Sequence, residues 1–272
     1  MKEEIDFSRI YSFSKLNMYR NCPKQYYFNY LDPEIAPRKK EFIKPRDYKT
    51  KGQAVHGAIT LFYHLPKEER SFNNLKSCLF SAWFSETDIS KEPPIGESGG
   101  FNNIEHERKT YKESLILLKN FFELKDINPH LFLIPTKDIR NSFSDYKDMI
   151  QPVNEEISVS GKFDRIDELE NGSLRIIDFK TSMNNQDCSQ LEFYKLLAEL
   201  NFDRKVDIVS FYYLSSKKIQ NFDVSKVYKD EIKNNFLGVI NKIRSGNNFY
   251  PRRTRFCSHC DFMEICPVFK KS

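Results

Sequence analysis

Through the first half of the chain apolar residues recur every three or four positions, and beyond residue 150 they alternate with polar ones. Between Ser12 and Leu31, Leu16, Tyr19, Tyr26, Tyr27 and Tyr30 mark the first such stretch, with Ser12 or Ser14 as candidate N-cap. Cys22-Pro23 divides it, which predicts two short helices. Further helices are predicted over Gly52–Leu65, about Asn73–Ser85 and about Glu105–Asp126, where Leu115, Leu118 and Phe122 fall on one face, with a loop at Glu92–Gly100. Val153–Leu169 and Ser173–Phe179 then alternate as strands around Asn171-Gly172, a dipeptide suited to a tight hairpin turn. Cys188–Leu200 reads as a helix, Lys205–Leu214 and Lys218–Val224 as strands, and Ser225–Arg244 as a long helix capped by Ser225. The fold class expected is α/β, a mixed sheet flanked by helices. It is read as one domain over 1–272: a mainly helical part to residue 150, a sheet core over 151–224, and a helix with a Cys-rich tail over 225–272.

With 272 residues, 39% of them hydrophobic, the chain can bury a sizeable core, and its 9 Gly and 12 Pro are too few for collagen-like or low-complexity sequence. No run of uncharged apolar residues is long enough to span a bilayer, and Met1–Asp6 is followed by no apolar leader, so a cytoplasmic protein without membrane association is expected. The net charge of +5 is mild, but its distribution is uneven. From Arg38 to Lys51 seven bases, among them Lys39, Lys40, Lys44 and Arg46, face two acids. A second basic group, Lys242, Arg244, Arg252, Arg253 and Arg255, is interleaved with Phe249, Tyr250 and Phe256, a mixture suited to tracking a phosphate backbone and stacking bases. Lys39, Lys40, Lys44, Arg46, Arg252, Arg253 and Arg255 are therefore candidate nucleic-acid contacts. A solvated charged loop is the alternative for the first run. No G-x-x-x-x-G-K-[ST] phosphate loop is present.

The chemistry concentrates on Asp164, Asp178 and Lys180. Strand alternation puts Asp178 and Lys180 on one face, and the adjoining strand can present Asp164 to the same side. Two carboxylates beside apolar Leu174 and Ile176 call for a cation, and hard oxygen donors near phosphate suit Mg²⁺. An exposed Asp178–Lys180 salt bridge is the alternative. Arg165 and Asp167 fall on the opposite strand face and read as a structural ion pair, whereas either Glu155 or Glu156 could face the site.

Six cysteines stand at 22, 78, 188, 257, 260 and 266. Cys257, Cys260 and Cys266 give C-x2-C-x5-C-P, one thiolate short of a four-coordinate site, with Cys22 as candidate fourth ligand. Spacing alone favours zinc, for which His259 is also a candidate ligand. Cys78 and Cys188 read as buried small apolar residues on helices.

In combination these motifs resemble the PD-(D/E)XK nuclease superfamily, in particular RecB- and AddB-type nuclease domains. The resemblance is carried by Tyr11-Ser-Phe-Ser-Lys-Leu16 with Tyr19 and Cys22-Pro23, by Gly52-x-x-x-His56 and Gly161-x-x-Asp164-Arg-Ile-Asp167, and by Asp178-Phe-Lys180 and Gln190-Leu-x-x-Tyr194. It implies a restriction-endonuclease-like core and a Mg²⁺- or Mn²⁺-dependent deoxyribonuclease. His56, Asp164, Asp178 and the Phe179 carbonyl would hold the metal, Lys180 would orient the attacking water, and Gln190 and Tyr194 would lie on a helix beside it. Similarity to AddB-type, CRISPR adaptation and exonuclease V nucleases implies a 4Fe-4S cluster on Cys22, Cys257, Cys260 and Cys266, with zinc as the alternative. The implied substrate is single-stranded DNA or DNA with free ends, degraded as an exonuclease would in repair or recombination, with a separate helicase as candidate partner. The helical reading between His56 and Asp164 is similar to the helical insertion of RecB-like domains and favours repair. A CRISPR adaptation nuclease is the alternative within the class, and a non-catalytic, metal-stapled nucleic-acid-binding module the alternative outside it.

Overall fold

The computed structural model describes residues 6–85, 95–137, 142–182 and 188–269. In chain order the helices are α1 (Phe13–Asn21), α2 (Pro23–Tyr30), α3 (Asp47–Tyr63), α4 (Phe72–Ser85), α5 (Ile104–Glu123), α6 (Ser142–Asp148), α7 (Ser189–Phe202) and α8 (Lys229–Ser245). The strands are β1 (Ile10–Tyr11), β2 (Leu131–Leu133), β3 (Gln151–Pro152), β4 (Ser158–Val159), β5 (Arg165–Glu168), β6 (Leu174–Lys180), β7 (Val206–Tyr213) and β8 (Lys218–Asp223). They form two compact units that interleave in sequence: Met1–Lys44, Ile150–Gly161 and Asp230–Ser272 make one, Pro45–Met149 and Lys162–Lys229 the other. Among the described residues no helix is long and apolar enough to cross a membrane.

The second unit contains a mixed sheet in the order β2-β5-β6-β7-β8. β5 and β6 are an antiparallel hairpin, β7 runs parallel to β6 after the α7 crossover, and β8 returns antiparallel at the edge. The turn expected at Asn171-Gly172 forms: Gly172 takes φ +81°, and Asn171 Oδ1 accepts the Ser173 N–H at 3.0 Å. β6 and β7 are almost wholly buried, as central strands covered on both faces must be, whereas edge strand β8 is half exposed. Ile177 and Phe179 of β6 join Val55, Ile59 and Phe62 of α3, Leu79 and Trp83 of α4, and Leu118 and Phe121 of α5 in one core. Alternation sends Asp178 and Lys180 to the other face, where α7 lies.

Three local expectations shift. α3 begins at Asp47 instead of Gly52, because an acid in the first turn suits a helix start and the buried face of Ala54, Val55, Ala58 and Ile59 outweighs the glycine. Gly100 (φ +85°) pins the described part of the expected 92–100 loop to that start, since a Cβ there would lie 2.5 Å from the Asp47 amide nitrogen. The strand expected over Val153–Leu169 is split. The Asn154 side chain accepts the Glu156 and Ile157 amides and turns the chain, so β3 and β4 pair with β1 in a small sheet of the first unit, and only β5 joins the large sheet. α8 starts at Lys229, because Asp223 Oδ1 takes the Ser225 N–H at 2.9 Å and holds 223–225 in a turn.

The first unit is built on aromatic contacts. Phe249, beyond α8, stacks on Tyr27 of α2 (5.3 Å, 29°) and meets Tyr19 of α1 edge-on (6.2 Å, 76°), Phe28 packs on Phe262 (5.5 Å), and Arg20 lies over Phe236 of α8.

Candidate active site

At the C-terminal end of β6 the Lys180 ammonium lies 2.7 Å from Asp178 Oδ2. It donates to Gln190 Oε1 at 2.8 Å and sits 5.1 Å from the centre of the buried Phe211 ring. Gln190 Nε2 in turn donates to Asp178 Oδ1 (3.1 Å) and reaches the Tyr194 hydroxyl at 3.5 Å. Gln190 and Tyr194 share a face of α7 because they are four residues apart. Asp164 occupies the bend before β5, where Oδ2 accepts the Phe179 N–H at 2.9 Å and Oδ1 lies 2.9 Å from His56 Nδ1, carried by α3. Two helices and two strand ends thus converge on six side chains, all within the second unit.

The environment separates the two carboxyls. Burial raises the Asp178 pKa, the nearby Asp164 charge raises it further, and Lys180 offsets this only in part, leaving it at about 6. Burial also opposes ionisation of Asp164, but His56, the Phe179 N–H and Lys180 outweigh it, and its carboxyl lies below the usual range. His56 is correspondingly pushed up, the Asp164 charge overcoming the effect of burial. Burial, with Asp178 and Asp164 nearby, raises the Tyr194 phenol.

Among the described residues no three His, Cys, Asp or Glu side chains are arranged as a preformed metal cage. The donor chemistry nevertheless fits a hard cation. Asp178 Oδ2 is buried and accepts no hydrogen bond of good geometry despite the neighbouring ammonium, which leaves a hard oxygen donor beside a second carboxyl. Phe179 contributes its N–H to Asp164 and its ring to the core.

Beneath the site Arg165 is fully buried and pairs with Asp167 and Asp126, each at 2.6 Å, as the ion-pair reading of Arg165 and Asp167 anticipated. Tyr63 bonds Arg165, and Tyr212 donates to Asp126. Asp126 and the two tyrosines carried no sequence signal, since they meet Arg165 only through the tertiary fold. Glu155 and Glu156 belong to the first unit, where Glu156 pairs with Arg244 at 2.8 Å.

The four candidate cluster cysteines line one cavity of about 90 Å³ in the first unit, together with Phe28 and Phe262. Cys22 sits between α1 and α2, and the others lie on short turns of the tail. The Arg252 N–H points to Cys22 Sγ (3.4 Å) and the Thr254 N–H to Cys257 Sγ (3.3 Å), while burial, with Cys22 and Cys266 close by, raises the Cys260 thiol. All six cysteines are free of disulfides. Cys78 is buried and its thiol pushed up to about 11, whereas Cys188 is half-buried just before α7 and bonds Glu192.

The candidate nucleic-acid contacts divide. Lys44 is held by Glu264 at 2.6 Å, Lys39 donates to the Asn29 carbonyl above Tyr30, and Arg252 bonds the Arg20 carbonyl. Lys40 is exposed, as are Arg253 beside Phe269 and Arg255 beside Phe256. Arg46 is half-buried at the start of α3, in the second unit.

The class that fold and site define is an α/β protein with a mixed sheet flanked by helices, an acid and a lysine at the end of the central strand and a second acid in the bend before its neighbour. The profile of the PD-(D/E)XK nuclease superfamily matches residues 10–267, and the chain belongs to that family. Its members are nucleases that generally use Mg²⁺ or Mn²⁺. The chain is also similar to the Gene 69 protein of Mycobacterium phage L5, with 24% identity over 288 residues covering 95% of this chain and 96% of that protein. The crystal structure of SSO0001 aligns with 98% of this chain and 90% of its own at 12% identity and a TM-score of 0.38.

Proposed function

We propose that this protein is a Mg²⁺- or Mn²⁺-dependent deoxyribonuclease that acts on single-stranded DNA or on free DNA ends. The observation that carries the reading is the Asp178–Lys180–Gln190 triad beside Asp164 and His56. Asp164 and Asp178 would hold the cation, joined by His56 through the ring nitrogen that Asp164 leaves open and by the Phe179 carbonyl. Bound there, the metal would supply Lewis acidity toward the phosphate and the leaving oxygen. Gln190 is a positioning residue: because its carbonyl accepts from Lys180, its amide must face Asp178, and one side chain orients both. The Lys180 ammonium, fixed from two sides, has remaining hydrogens to offer a water or a phosphate oxygen. Tyr194 closes the wall against Phe163 (5.4 Å).

The reading extends to an exonuclease of DNA repair or recombination in the cytoplasm, working with a separate helicase, and to a metal centre on Cys22, Cys257, Cys260 and Cys266. Backbone N–H groups aimed at sulfur favour thiolates, and with them a 4Fe-4S cluster or, failing iron, zinc. The test is cleavage of 5′- and 3′-labelled single strands by anaerobically purified protein with Mg²⁺ or Mn²⁺, alongside iron, sulfide and zinc analysis. Metal-dependent products absent from Lys180→Ala support the nuclease. Equal inertness of wild type and variant on every DNA form would leave the binding-module reading in its place.

A further inference from the structure

In the first unit, the segment beyond α8 runs Gly246-Asn247-Asn248-Phe249-Tyr250-Pro251. Phe249 turns inward and stacks on Tyr27, whereas the next residue, Tyr250, is left 71% exposed. One exposed aromatic is ordinary on a surface, but Tyr250 does not stand alone. It borders a groove of about 330 Å³ floored by Tyr27 and Phe249, walled by Asn247 and Asn248, and overhung by Lys24, whose ammonium lies 4.6 Å from the centre of the Tyr27 ring. Lys24 and Tyr27 share a face of α2 because they are three residues apart. Asn247 and Asn248 are exposed and make no side-chain hydrogen bond among the described residues.

This set of groups matches one kind of ligand. A ring with a free face offers stacking to any planar base. Two unengaged amides, each presenting donor and acceptor, match the hydrogen-bonding edge of an unpaired base. An ammonium at the rim suits the phosphate that must accompany it. The groove is open and polar as well as aromatic, which suits a strand passing through.

We infer that this groove holds an unpaired nucleobase of single-stranded DNA, stacked on Tyr250, its edge met by Asn247 and Asn248 and an adjoining phosphate by Lys24. The inference takes its polymer from the nuclease reading, yet its test is separate from cleavage. Binding of a fluorescent oligothymidylate to the full-length protein is followed by anisotropy, with Ca²⁺ replacing Mg²⁺. Tyr250→Ala weakens binding about ten-fold, as the loss of one stacked base does elsewhere, while Tyr250→Phe binds as wild type. Asn248→Ala weakens binding less, Tyr228→Ala, at another exposed tyrosine, has no effect, and blunt duplex binding is the same throughout. An abasic residue walked along the strand weakens wild type at one position that is silent in Tyr250→Ala. Unchanged affinity in both Tyr250→Ala and Asn248→Ala, or no measurable binding of single strands by wild type, overturns the inference. A loss seen only with oligouridylate overturns it for DNA and moves the site to RNA. If Tyr250→Ala loses affinity while wild type cleaves nothing, the base site stands and the nuclease reading fails.

Discussion

The two units hold their candidate sites by opposite means. In the sheet unit the acids and the lysine hang on β6 and on the bend before β5, and β6 is hydrogen-bonded on both sides, by β5 and β7. A continuous core lies beneath, and Gln190, His56 and the Phe179 N–H already orient the functional groups. In the other unit the four thiols surround a small, largely apolar cavity, one between two short helices and three on short turns of the tail, and among the described residues none lies on a strand. The first site is a consequence of its fold, and a cation bound there would add chemistry to an arrangement that packing has made. On the proposed reading the second would be in part a cause of its fold, because short turns of this kind keep their geometry when a ligand ties them.

The largest effect that could break this comparison is loss of the metal proposed for the four thiols. Cys22→Ala abolishes stoichiometric iron or zinc and lowers the melting temperature sharply, since a structural metal held by thiolates is worth on the order of 10 kcal/mol to the segment that folds around it. Elemental analysis and calorimetry check this, and unchanged metal content with an unchanged melt would remove the distinction between the units. Next comes Lys180→Ala, expected to cut cleavage by about 10²–10⁴ while leaving the metal content of the cysteine unit at the wild-type level. A parallel loss of both would mean that the two sites are not independent.

How far each site could be read in advance follows the same division. Asp178 and Lys180 were legible because strand periodicity is local, and Gln190 with Tyr194 because helical spacing is too. Asp164 was legible as a motif, but its place in a bend was not, since that depends on a bond from Phe179 across the hairpin. The cysteine spacing likewise pointed to a shared cavity without giving its shape. What stayed hidden was long-range. Lys44 looked free for phosphate until the fold brought Glu264 to it from 220 positions away, and Asp126 had no local pattern to mark it as a partner of Arg165. The split strand at Asn154 failed for another reason: a side chain that accepts two backbone amides outweighs an alternating pattern, whose advantage is spread thinly over many residues.

Arg165 sharpens the view that the sheet unit is assembled by packing and internal pairing. Arg165→Ala leaves buried Asp167 beside half-buried Asp126 without their cation and is expected to cost about 3–5 kcal/mol, measured by urea unfolding. A cost below about 1 kcal/mol, the range of surface pairs, would show that the network under the site is not structural.

The smallest effect is the most specific to the site. Asp178 titrates near the ordinary carboxyl value of 3.8 when unfolded and at about 6 when folded. Between those values the folded state keeps a proton that the unfolded state has released, so the metal-free protein loses stability as the pH rises from about 4 to about 6. The total is on the order of 2 kcal/mol, because the shift is about two units at 1.36 kcal/mol each and part of it is shared with Asp164. Asp167, also raised by burial, contributes in the same direction and Asp164, held low, in the opposite one, so the share that belongs to Asp178 is the part of the slope that its substitution removes. Asp178→Asn lessens the slope by that share, is more stable than wild type at neutral pH without metal, and does not cleave. Added Mg²⁺ flattens the slope in wild type, by favouring the ionised carboxyl, and leaves the variant unchanged. A wild-type slope that persists in saturating Mg²⁺ would place the cation away from Asp178, and the buried carboxyl would then be a strain that the fold carries for some other reason.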